Sequence, residues 1–143
     1  MEKQAQNLIN LYDEKGQKHG YWEFYYSDGK LMRKGNLVNG QRDGYWEAYY
    51  SNGKLISKGN LVNGKRHGYW EAYYSNGQLM WKGNFVNGNR DGYWEEYYSD
   101  GQLMRKGNYV NGRFQEETPV TELTMDEIAK KFAIPVGQLK IKK

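Results

Sequence analysis

The sequence predicts an all-β fold: a single-layer meander of four 24-residue β-hairpin repeats followed by a short C-terminal helical cap. Three observations carry this expectation. The cluster Gly-Tyr-Trp-Glu recurs at Gly20–Glu23, Gly44–Glu47, Gly68–Glu71 and Gly92–Glu95, a spacing of 24 residues. Each unit holds one run rich in aromatic residues and one rich in aliphatic residues, each closed by Asn-Gly or Asp-Gly. When those pairs are placed in turns, a Glu that recurs in every unit falls opposite a Lys that recurs in every unit. A unit this short buries no core alone and must stack on its neighbours. Such a stack offers rows of side chains instead of one enclosed pocket, which points to a binding surface.

Composition bounds the answer. The 143 residues suffice for one domain with a small appendage, divided as residues 1–19 (a degenerate half-repeat), 20–113 (four repeats) and 114–143 (linker and helical cap or tag). With 14 Tyr and 5 Trp the chain reads as ordered despite its negative mean hydropathy. The net charge of +4 resides in the repeats, because residues 1–19 carry three acids and three bases and residues 114–143 carry five of each. Zero cysteines removes disulfides, thiolate nucleophiles and cysteine metal sites. No apolar run approaches membrane-spanning length, and Met1-Glu2-Lys3-Gln4 lacks the regions of a secretory signal, so the cytoplasm is the expected compartment.

From the N-terminus, Leu11–His19 reads as a degenerate half-unit. The second full unit shows the pattern in its cleanest form: Tyr45–Tyr50, a turn at Asn52-Gly53, Leu55–Val62, and a second turn at Asn63-Gly64. Asn-Gly in a two-residue turn favours type I′, because both residues tolerate positive φ. That turn sets Tyr50 opposite Leu55, Ala48 opposite Ser57, Glu47 opposite Lys58 and Trp46 opposite Gly59. The charged pairs expected are Glu23 with Lys34, Glu47 with Lys58, Glu71 with Lys82 and Glu95 with Lys106, each worth about 0.2–1 kcal/mol. By strand alternation one face carries Trp, Gly and the pairs that vary between units; the other carries the Glu-Lys row with the flanking Tyr and Val. Neither face is purely apolar, so both are expected to be wetted, with aromatic stacking between units in place of a two-layer core.

The motif Gly-Tyr-Trp-Glu-x-Tyr-Tyr-Ser-(Asn/Asp)-Gly-x-Leu, followed by Lys-Gly-Asn-x-Val-Asn-Gly, resembles the MORN repeat, in the bacterial variant found in YwqK-family antitoxin proteins. The resemblance covers residues 20–113. It implies a meander of β-hairpins that binds a partner, with toxin neutralisation the usual role and phospholipid binding or protein scaffolding proposed for eukaryotic relatives. Beyond Arg113 the repeat ends. Thr124-Met125-Asp126-Glu127 forms a capping box for a helix from Met125 to about Phe132, with Ile128 and Phe132 on one face and Pro135 blocking continuation. The tail is expected to cover the last sheet edge.

No catalytic constellation is visible, and no enzyme, cofactor or metal is expected. His19 and His67 share the turn position that Asp43 and Asp91 occupy elsewhere. Each repeated Glu has a Lys beside it, which lowers a carboxyl pKa and suits it poorly to acid-base work. The glycines mark turns and the residues opposite Trp, with no phosphate-binding pattern.

Candidate binding residues are therefore the variable positions Phe24, Arg33, Trp81, Glu96 and Arg105, of types that dominate interfaces, together with the Trp row, Trp22, Trp46, Trp70 and Trp94. The expected partner is a protein captured along the aromatic face, in the manner of an antitoxin, immunity protein or inhibitor. A nucleotide, glycan or lipid headgroup sequestered by rings and arginines is the alternative, and self-assembly through sheet edges a further one. Nucleic acid is disfavoured, since +4 spread among Glu-Lys pairs makes no basic stripe. A basic toxin is disfavoured too, because the chain is itself slightly basic.

Overall fold

The computed structural model describes residues 9–117, 124–133, 135 and 137. Ten antiparallel strands form one open sheet in chain order: β1 (Leu11–Tyr12), β2 (Lys18–Tyr25), β3 (Leu31–Val38), β4 (Gln41–Tyr49), β5 (Leu55–Val62), β6 (Lys65–Tyr73), β7 (Leu79–Val86), β8 (Asn89–Tyr97), β9 (Leu103–Val110) and β10 (Arg113–Glu116). The meander of four hairpin repeats is thus as the sequence predicts. The half-unit at the start supplies β1, whose Leu11 carbonyl accepts a hydrogen bond from Trp22 Nε1 at 2.9 Å.

The two kinds of turn differ, and one corrects the expectation. Between units, Asn63 and Gly64 have φ of 49° and 76°, the type I′ pattern, and Val62 pairs with Lys65. Within units, the hairpin closes through Tyr50 N–H to Lys54 O at 2.8 Å and Gly53 N–H to Tyr50 O at 2.8 Å. This is a three-residue loop in which only Gly53, at φ 83°, takes the left-handed conformation. Tyr49, not Tyr50, therefore comes to lie near Leu55, beside a register shift after Ala48. The reason is local: Asn52 Oδ1 accepts the Lys54 amide at 3.0 Å while its Nδ2 donates to Ser75 O at 2.9 Å in the next unit. An Asn tied into an Asx turn has no need of positive φ. The shift ends before Ala48, so Ala48–Ser57, Glu47–Lys58 and Trp46–Gly59 pair as the sequence predicts.

A second irregularity recurs between units. From Asp43 to Trp46 β4 advances three residues while β3 steps only from Asn36 to Gly35. Trp46 turns its Nε1–H onto Asn36 O at 2.9 Å and lays its ring over Gly35. Trp70 and Trp94 repeat this on Asn60 O and Asn84 O, at 2.8 and 3.1 Å, and over Gly59 and Gly83. Because the rings lie along the sheet, the Trp face is not wetted as expected. Trp22, Leu37, Trp46, Leu61, Trp70, Phe85 and Trp94 form a core on one side of a single layer, none more than 7% exposed.

The tail carries the helix α1 (Met125–Phe132), with Thr124 N–H donating to Glu127 Oε2 at 2.7 Å and Glu127 N–H to Thr124 Oγ1 at 3.2 Å. It ends at Ala133, in the left-handed region at φ 52°. The linking residues 118–123, on which the expected covering of the sheet edge depends, lie outside the described residues.

A Cβ on Gly59 would sit 2.3 Å from Trp70 Cδ2, so Gly59→Ala forces the ring off its seat. We expect a loss of roughly 1–3 kcal/mol in urea unfolding at unchanged m-value. An unaltered midpoint would show that the seat is not close-packed.

Candidate binding face

All five variable residues project on the Trp face. Phe24 stacks on Trp22, with ring centroids 5.7 Å apart, and approaches Trp46 at 6.2 Å. Arg33 lies over Phe24, its guanidinium carbon 4.5 Å from the ring centre. Trp81 packs against Trp94 and Phe85 at 5.2 and 5.9 Å. Glu96 receives Arg90 Nη1 at 2.6 Å and Arg105 Nε at 2.7 Å. The four repeated Trp rings form the floor beneath these groups; Trp94 is wholly buried.

A row of cations lies above that floor. Lys18, Arg42, Arg66 and Arg90 follow the same 24-residue period and are not among the candidate residues read from the sequence. Each lies within a strand, because the tight Asn-Gly turn ends before Arg42, Arg66 and Arg90 and the loop at Glu14-Lys15-Gly16 ends before Lys18. A turn glycine 22 residues further along fixes the backbone of the first three, Gly40, Gly64 and Gly88 donating to Lys18 O, Arg42 O and Arg66 O at 3.0, 2.9 and 2.8 Å. The side chains reach over the indole four residues further along the chain: Lys18 over Trp22 at 4.8 Å, Arg42 over Trp46 at 5.9 Å, Arg66 over Trp70 at 4.8 Å and Arg90 over Trp94 at 4.4 Å. These are cation-π distances. The period itself was the available signal. His19, Asp43, His67 and Asp91 likewise sit in strands and not in turns.

The row is electrostatically uneven. Glu96 engages Arg90 and Arg105, and their hydrogen bonds, Arg105's foremost, hold its carboxyl below the usual carboxylate range. Arg33, Arg42 and Arg66 make no ion pair within the described residues. Burial pushes the Arg66 pKa down, and the neighbouring charges of Arg42 and Arg90 add to that. The N-terminal half of the face is thus a field of uncompensated positive charge.

The opposite face is self-neutralised. Each Lys pairs through its backbone with the Glu of its own unit, as expected, and equally with the Glu of the next. The ion pairs formed are those between units, a correction to the intra-unit pairing expected: Lys34–Glu47 and Lys58–Glu71 at 2.9 Å, and Lys82–Glu95 at 2.6 Å. Tyr hydroxyls saturate the carboxylates from both sides, as Tyr69 and Tyr73 do for Glu71. Burial raises the Glu71 carboxyl, but the hydrogen bonds from Tyr73 and Lys58 outweigh it and leave the pKa below normal. Glu47 and Glu95 behave alike.

No group of three or more His, Cys, Asp or Glu among the described residues is arranged to hold a metal, and no described helix is long and apolar enough to cross a membrane. The model of the MORN repeat variant matches residues 18–39, 42–63, 66–87 and 90–111. No curated protein matches the chain.

Stability should fall at acid pH. The carboxyls of Glu47, Glu71, Glu95 and Glu96 titrate below their ordinary value of 4.5 in the folded state, so folding favours their ionised forms. Their contribution is complete above the unfolded value and is lost as pH drops through the folded ones. Thermal melts should therefore hold a plateau near neutrality and fall below about pH 4.5, with a shallower fall for Glu71→Gln. An identical acid limb in that variant would remove Glu71 from the account.

Proposed function

Since the chain belongs to the MORN repeat variant family and is a binding or structural repeat module, we propose that it is a non-enzymatic module that captures a protein partner across the Trp face, in the manner of an antitoxin, immunity protein or inhibitor. The observation that carries this reading is the row Lys18, Arg42, Arg66 and Arg90, repeating every 24 residues over a buried aromatic floor. Residues 24 apart lie two strands apart, so the cations recur roughly every 10 Å along the sheet. That spacing matches an extended surface better than a point ligand. The uncompensated cations at Arg33, Arg42 and Arg66 call for an acidic counter-surface, and the aromatic and arginine side chains there are the types that dominate interfaces. The opposite face offers no such field, because its charges are already paired within the sheet.

The test is affinity capture from the native host with wild-type protein and with Arg42→Glu/Arg66→Glu. One protein held at one-to-one stoichiometry by wild type, released by salt and lost by the charge-reversed variant, is the expected result. Retention of that protein by the variant, or capture of no protein by wild type, would overturn the reading.

A further inference from the structure

The four variable pairs fill the same place in successive units, and one of them leaves it empty. In the first unit Phe24 and Arg33 occupy it, in the third Trp81 covers Ala72, and in the fourth the Glu96–Arg105 pair spans it. The second unit has Ala48 opposite Ser57. Ring contacts run along the sheet up to Trp46 and resume at Trp70, with no aromatic side chain between them. A hollow of about 180 Å³ opens there, walled by Trp46, Trp70 and Leu61 and rimmed by Arg33, Arg42 and Arg66.

The charge of the hollow is one-sided. Glu47 borders it, but its carboxylate is held on the other face by Lys34 at 2.9 Å and by the Tyr49 hydroxyl. The Nε of Arg33 is buried and has no hydrogen-bond partner. A buried donor without an acceptor is costly to leave unmet, and the three arginines that line the hollow have no counter-ion among the described residues and carry many donors between them. The volume is below that of a drug-sized site, so it suits one head group on a short flat stem.

We propose that this hollow is a small-molecule site for an oxyanion, phosphate or carboxylate, carried on an aromatic stem. The oxyanion accepts hydrogen bonds from Arg33, Arg42 and Arg66, which favour such groups through their fork of N–H donors. The stem lies over Ala48 and Ser57 between Trp46 and Trp70, where Phe24 and Trp81 stand in the flanking units. This goes beyond the capture of a protein partner and does not depend on it.

Phenyl phosphate, inorganic phosphate and phenol are the probes, titrated into the full-length purified protein while the indole N–H and arginine Nε–H resonances are followed. The expected result is saturable binding of phenyl phosphate, tighter than either fragment, with shifts at Trp46 and Trp70 and none at Trp94. Arg66→Gln should weaken it at least about tenfold. Ser57→Trp, which places at this site the residue that Trp81 supplies one unit later, should abolish it while the melting temperature is kept. Benzoate in place of phenyl phosphate tells a carboxylate site from a phosphate site. Binding undiminished in Ser57→Trp, equal shifts at all four repeated indoles, equal affinity for inorganic phosphate, or no saturable binding of phenyl phosphate or benzoate would each overturn the proposal.

Discussion

Everything in this sheet depends on an indole of one unit lying over a glycine of the unit before it, with its N–H bound to the carbonyl just beyond. Trp46 on Gly35 and Asn36, Trp70 on Gly59 and Asn60, and Trp94 on Gly83 and Asn84 are the same joint used three times. A buried aromatic ring removes some 150–250 Å² from water, roughly 5 kcal/mol gross. A Glu-Lys pair on the other face contributes about 0.2–1 kcal/mol. The rings therefore hold the stack, and the charge ladder sets register. Since each ring belongs to one unit and its seat to another, no unit is stable without its neighbour.

The joint also divides the labour between faces. The bulge that lets the ring lie flat carries the chain from the turn to the tryptophan and sets Arg42, Arg66 and Arg90, each two strands from the last, over the indole four residues further along. On the Glu-Lys side each carboxylate meets ammonium and phenol groups within the sheet, which leaves little free charge for a partner. On the Trp side the cations have only rings beneath them until Glu96 appears in the fourth unit. Recognition belongs on the face whose charges are unmet, and the hollow at Ala48 and Ser57 lies where they are densest.

The sequence disclosed the period, the strand pairs around each Trp, the Glu-Lys register and the capping box at Thr124, because each is written in nearest neighbours along or across a hairpin. It disclosed less wherever a contact joins two units. The Lys34–Glu47 pairing, the Asn52 amide bound to Ser75 O and the three-for-one bulge at Trp46 all reach into the next repeat. The type I′ turn expected at Asn52-Gly53 gives way to a local contact, the Asn52 side chain on the Lys54 amide, whereas a hairpin taken in isolation leaves the Trp face wetted, which the neighbouring unit overrides. Arg42 and Arg66 went unremarked as site residues for the same reason. Their 24-residue spacing was visible, but their place over the indoles follows from the bulge.

Native-state hydrogen exchange at the indole Nε1–H groups tests the joint most directly. Trp46, Trp70 and Trp94 are expected to be protected as strongly as the amides of the strands beneath them, and all three to open together in the cooperative unfolding of the sheet. Exchange of these indoles at the rate of free tryptophan, with the strand amides still protected, would contradict it.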